Sequence, residues 1–168
     1  MNNSGKSKAR ILAVSGILGA ISIVLGMTPL GFIPVPTAAG HATIMHVPAI
    51  LGGLLEGPIA GAFVGFIFGL HSFLRAGSPL FADPVIAILP RIFIGILAYY
   101  SFRLTKSVAL SAVIGTLTNT FGVLGLAVVK GYLTLPVAAG IAFTHGLPEV
   151  IVAVIVTTLI YSGIRKRR

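Results

Sequence analysis

The chain has no cysteine, no tryptophan and only three acidic residues, Glu56, Asp83 and Glu149, in 168 positions. Without cysteine there is no disulfide framework and no thiolate metal or redox centre, whatever the compartment. Charged residues of both signs make up 9% of the chain, against roughly a quarter in a soluble domain. That is too little polar surface to coat a globule of this size, so an ordinary soluble enzyme is not expected. Three acids are also too few to build a proton relay through a bundle. The chain has no Gly-x-x-x-x-Gly-Lys-Ser/Thr loop, no Gly-x-Ser-x-Gly elbow and no His-Glu-x-x-His pair. Nucleotide hydrolysis and serine or zinc hydrolase chemistry therefore have no motif to rest on. His41, His46, His71 and His145 are scattered, none with a partner at metal-ligand spacing, so no metal, catalytic group or cofactor is expected.

What remains is apolar and basic. Apolar residues form 56% of the chain and there are 21 glycines. A span needs about 20 mostly apolar residues to cross ~30 Å of hydrocarbon. Runs of this kind between Pro/Gly breaks and charges fall at residues 9–27, 44–55, 59–73, 85–102, 108–129 and 147–164. The second and third are short and glycine-broken, and the stretches 32–43 and 75–84 read as loops. The first run is longer than a signal-peptide core and lacks a small-residue cleavage site, so it reads as a span rather than a cleaved leader. The loops leave no room for a soluble domain, and the expectation is one all-α unit over residues 1–168: an integral membrane bundle of six transmembrane helices.

The 12 basic residues test this layout. Seven lie at the termini, at Lys6, Lys8, Arg10, Arg165, Lys166, Arg167 and Arg168, and Arg103 and Lys106 lie in the loop between spans four and five. Six spans put all nine on one side, which the positive-inside rule makes cytoplasmic, with both termini inside. Arg75 and Lys130 fall outside, and Arg91 lies within a span. A distribution of this kind orients a membrane protein in the lipid of a prokaryotic cell membrane. It does not make a nucleic-acid patch.

Polar groups at membrane depth are costly and mark function by default. Arg91 lies about 10 Å below the outer end of its span at 1.5 Å per residue. Asn119 falls near the midplane or outside it, Glu149 opens the last span just after His145, and Asp83 sits at the mouth of the fourth. These groups share one level, the outer half, and suggest a pocket open to the outside. Arg91 suits a carboxylate, or else forms a structural pair with Asp83 or Glu149. Asn119 binds ligand or bonds across helices, and Glu149 binds ligand or caps its helix. Ala9, Ala13, Gly16 and Ala20 recur on one face of the first helix, where small residues permit close helix approach, either within the bundle or to a partner.

The stretches Thr28-Pro-Leu-Gly-Phe-Ile-Pro-Val-Pro36, Ala42-Thr-Ile-Met-His46-Val-Pro48, Gly57-Pro58 with Gly61, Phe68-Gly-Leu70, Asp83-Pro84 with Leu89-Pro90-Arg91-Ile92, and Gly115-Thr-Leu-Thr-Asn119-Thr span most of the chain. Together they resemble the substrate-binding S components of energy-coupling factor (ECF) vitamin transporters, which are ABC-type importers. The resemblance implies a small water-soluble vitamin held near the outer face, under the loop joining helices one and two. It thereby adds Thr37 and His46 to the candidate binding residues Arg91, Asn119, His145, Glu149 and Asp83. It implies further that a transmembrane coupling subunit and two cytosolic ATPases supply the power, the S component toppling in the membrane to release its cargo inside. The family's Ala-x-x-x-Ala docking motif maps onto Ala9 and Ala13.

Members of the family bind different vitamins on one scaffold. The Pro-Leu-Gly-Phe-Ile-Pro and Leu-Pro-Arg-Ile stretches most resemble the pantothenate-type group, and Arg91 suits an acid; lipoate, folate, biotin or another small acid are the alternatives. A self-sufficient carrier or channel would need a polar path through both halves, and the inner halves offer little beyond Ser and Thr. A purely structural subunit would bind no ligand, and an intramembrane enzyme would need a nucleophile beside His145.

Overall fold

Prolines open most of the helices of this chain, because the N–H that proline lacks is unpaired in a first helical turn anyway. The computed structural model describes residues 8–34 and 41–166. Helix α1 (Lys8–Met27) leads through a 3-10 turn at Pro29–Gly31 into a short antiparallel hairpin, β1 (Phe32–Pro34) with β2 (His41–Thr43), which pairs Phe32 with Thr43. There follow α2 (Val47–Glu56), α3 (Pro58–Arg75), a 3-10 turn at Pro79–Ala82, α4 (Pro84–Thr105) and α5 (Val108–Val129). The last described stretch is α6 (Leu135–Ile141), a π turn at Ala142–Gly146 and α7 (Leu147–Lys166).

Among the described residues five helices are long and apolar enough to cross a membrane: α1, α3, α4, α5 and the continuous Leu135–Lys166 unit. The helix at the second expected span is different. With ten residues, α2 is about 15 Å long, half of a bilayer core. All of its residues except Leu55 are buried, so it is an internal helix wrapped by the others. The final expected span also changes, since helical structure begins at Leu135 instead of Leu147. Pro136 occupies the first turn there, and the π turn carries the helix past Gly140 and Gly146.

Although α2 is short, the segment from the hairpin through α2 returns the chain across the bundle. At one end Arg10 Nη2 of α1 pairs with Glu56 Oε1 at the close of α2, 3.0 Å apart. At the other, Arg75 Nη1 at the close of α3 donates to Gly26 O near the close of α1. Phe102 near the end of α4 and Tyr161 near the end of α7 meet edge to face with centroids 5.5 Å apart, and both pack on the core cluster around Ile50 and Leu54. Both ends of the described chain thus emerge at one end of the bundle.

Close backbone packing holds the centre together. A Cβ built on Gly61 of α3 would lie 2.8 Å from Gly95 Cα of α4 and 2.9 Å from Gly53 Cα of α2. Gly65, one turn further along α3, lies against the backbone carbonyl of Arg91. The glycines that looked like helix breaks are therefore the contact points that bring α2, α3 and α4 together.

Candidate functional site

A cavity of about 410 Å³ lies at the end of the bundle away from the termini, between the hairpin, α3, α4, α5 and the α6–α7 unit. Arg91, Asn119, His145 and Glu149 all line this half-open space. Phe32, Met45, Phe68, Leu80, Phe81, Val123, Leu124 and Ile141 supply an apolar wall, and Thr43, Ser72, Arg75 and Thr120 add polar groups.

Arg91 is 3% exposed. Its Nη1 donates to Ile86 O at 2.6 Å, and its guanidinium carbon lies 4.6 Å from the centroid of the Phe81 ring and 5.5 Å from that of Phe68. Aromatic faces stabilise a desolvated cation without neutralising it. Neither Asp83 nor Glu149 forms an ion pair with it among the described residues. Its Nε is buried without a hydrogen-bond partner among them, as are Asn119 Oδ1 and Thr120 Oγ1. Each such atom costs about 1–3 kcal/mol unless something bonds it. The three residues that carry these atoms, a cation, an amide and a hydroxyl, line one cavity.

Glu149 does a different job from helix capping, because α6, the π turn and α7 run on without a free helix start. Its Oε1 accepts from His145 Nε2 at 3.0 Å and from the Thr43 backbone N–H at 3.1 Å, and from the Thr43 hydroxyl as well. It thereby fastens the end of β2 to the start of α7, and the π turn sets His145 on the same side as Glu149.

Two expected residues lie off the cavity lining. His46 is fully buried with Nε2 3.0 Å from Thr116 Oγ1. The Thr116 hydroxyl spends its proton on Ala112 O at 2.8 Å, so it accepts from His46 Nε2. Asp83 caps α4, Oδ1 accepting from Val85 N at 2.9 Å, while Oδ2 takes Lys130 Nζ at 2.6 Å. The bond from Lys130 holds the Asp83 carboxyl below its ordinary range. A depressed carboxyl contributes stability above its unfolded pKa of about 4 and loses it as pH falls through the lower folded value. We expect Asp83→Asn to melt below the parent at pH 7, and the gap in Tm to close as melts are repeated down to about pH 3. Thr37 lies outside the described residues.

Residue reasoning missed Arg75, Phe68, Phe81 and Thr120. Arg75, counted only as a basic residue on the outer side, lines the cavity. Phe81 reaches Arg91 from a 3-10 turn that no periodicity announces. Among the described residues no three His, Asp or Glu side chains gather to hold a metal. On α1, Ala9, Ala13, Gly16 and Ala20 are all exposed, whereas the bundle packs against Ser15, Gly19, Ser22 and Gly26 on another face.

The family model described as "ECF transporter, substrate-specific component" matches residues 10–161. Pantothenic acid transporter PanT of Lactococcus lactis subsp. cremoris is 34% identical over 97% of this chain and 97% of its own length. Pantothenate transporter PanT of Leuconostoc mesenteroides is 28% identical over 58% of this chain and 52% of its own. With its apolar helices, the chain is a multi-pass membrane protein, and it belongs to the substrate-specific component family of ECF transporters.

Proposed function

We propose that the chain is the pantothenate-binding subunit of an ECF importer, taking the vitamin from outside and releasing it to the cytoplasm when driven by partner subunits. The observation that carries this is the cavity that Arg91, Asn119 and Thr120 line together, each with a buried polar atom unpartnered among the described residues. Pantothenate offers a carboxylate for Arg91, hydroxyls and an amide for Asn119 and Thr120, and a dimethylated carbon chain for the apolar wall. The names of the two relatives point the same way. By the positive-inside rule the nine basic residues at the termini and around the α4–α5 turn support a cytoplasmic side for that end and an outward-facing cavity. ATP hydrolysis belongs to partners, since this chain has no phosphate-binding loop.

Titration calorimetry of the purified chain tests the reading. Pantothenate is expected to bind one to one with Kd below about 1 µM. Heat only from lipoate, folate or biotin would move the substrate elsewhere. Proteoliposomes containing this chain alone are expected not to accumulate pantothenate; accumulation would make it a self-sufficient carrier.

The exposed strip Ala9, Ala13, Gly16 and Ala20 is the surface we assign to the transmembrane coupling subunit, which in turn carries two cytosolic ATPases. Small side chains let a partner helix approach closely, and a large one prevents it. Ala13→Trp should cut co-purification of the coupling subunit about tenfold and leave pantothenate affinity unchanged. Undiminished co-purification would rule the strip out.

A further inference from the structure

Proline within a helix removes the N–H that would bond the carbonyl four residues earlier, and its ring pushes that carbonyl aside. In α4 the proline is Pro90 and the carbonyl it abandons belongs to Ile86, itself fully buried. Because Ile86 is fully buried, no water reaches its carbonyl to replace the missing donor. The replacement is the side chain of the next residue, for Arg91 Nη1 reaches Ile86 O at 2.6 Å. No described carboxylate lies within ion-pair distance of Arg91, and the direct contacts that hold its guanidinium are this bond and the rings of Phe68 and Phe81.

We propose that Pro90 is a positioning residue for ligand recognition: by leaving the Ile86 carbonyl without a backbone donor, it creates the acceptor that fixes the Arg91 guanidinium on the cavity wall. The proline and the arginine then act as one unit. Arg91 satisfies the helix and the helix aims Arg91. The effect on affinity rests on the reading of this cavity as the pantothenate site, but the coupling between the two side chains does not.

Four full-length chains in detergent test this: the parent, Pro90→Ala, Arg91→Met and the double variant. Tryptophan and cysteine are both absent, so melting is followed by circular dichroism. In the parent, Arg91→Met strands the Ile86 carbonyl and should lower Tm by about 4 °C. In the Pro90→Ala background the backbone N–H restored by the alanine satisfies that carbonyl, and the same change should cost less than half as much. Equal losses in both backgrounds would overturn the proposal. Calorimetry with pantothenate, run well below the Tm of each chain, should show Kd raised roughly tenfold by Pro90→Ala; an unchanged Kd would overturn the positioning role. If the parent itself does not bind pantothenate, the substrate reading alone has failed, and the melting cycle still decides this proposal. A Cβ on Gly122 would lie 2.7 Å from Pro90 Cβ, so the ring also packs on α5. Pro90→Val, which restores the N–H and keeps apolar bulk, repeats the cycle should the alanine variant fail to fold.

Discussion

Arg91→Ala is expected to weaken pantothenate binding by about 100-fold or more, measured by calorimetry on the purified chain. Two hydrogen bonds from a buried guanidinium to a carboxylate are together worth about 3 kcal/mol, and each 1.4 kcal/mol is tenfold. The loss is large because the guanidinium is buried, 3% exposed, where its hydrogen bonds are not shared with water. Glu149 is already committed to Thr43 and His145, and its charge opposes an anion. Arg91→Lys should recover only part of the loss, since an ammonium cannot bond Ile86 O and a carboxylate with one forked plane. Affinity within threefold of the parent would assign the carboxylate to another cation. Arg75 is the one to test next, because it lines the same cavity from the end of α3.

The depth of Arg91 was legible in the sequence because helical rise is constant. Counting along α4 sets Arg91 about 10 Å into its helix, whereas the count for Glu149 starts from Leu147 and the helix begins at Leu135; only the packed bundle brings the two to one cavity. Azimuth was not legible. Asp83 has the right level yet turns to Lys130, a residue 47 positions away, and only the packed ends of α4 and α5 bring the two together. His46 likewise turns away from the cavity toward Thr116. The break between loop and last span was misplaced for a different reason. Pro136, Gly140 and Gly146 carry the signals of a turn, but a proline in a first turn starts a helix, and a π turn absorbs the mismatch that follows. Pro90 was visible all along. What it does was not, because the orphaned carbonyl of Ile86 belongs to the backbone and leaves no trace in residue type.

Glycine was the strongest source of doubt about the second and third spans, and it carries the other large effect. Gly61→Ala is expected to destabilise the chain by about 2–3 kcal/mol, the usual range for adding carbon to a filled core. At about 2–4 °C per kcal/mol for a chain of this length, Tm should fall by roughly 5–10 °C. The added Cβ would meet backbone on two sides, 2.8 Å from Gly95 Cα and 2.9 Å from Gly53 Cα. Backbone cannot rotate away as a flexible side chain would, so α3 must shift from α2 and α4 together. Gly125→Ala is the control: nothing lies within 4 Å of its Cβ, and removing a mid-helix glycine should leave Tm level or raise it. Because α3 also lays Gly65 against the Arg91 backbone, a displaced α3 should move the cavity wall. Pantothenate affinity of Gly61→Ala should therefore fall even well below its melting temperature. An unchanged Tm would mean that the three helices do not meet at their glycines, and α2 would then have to be held in place by its side chains.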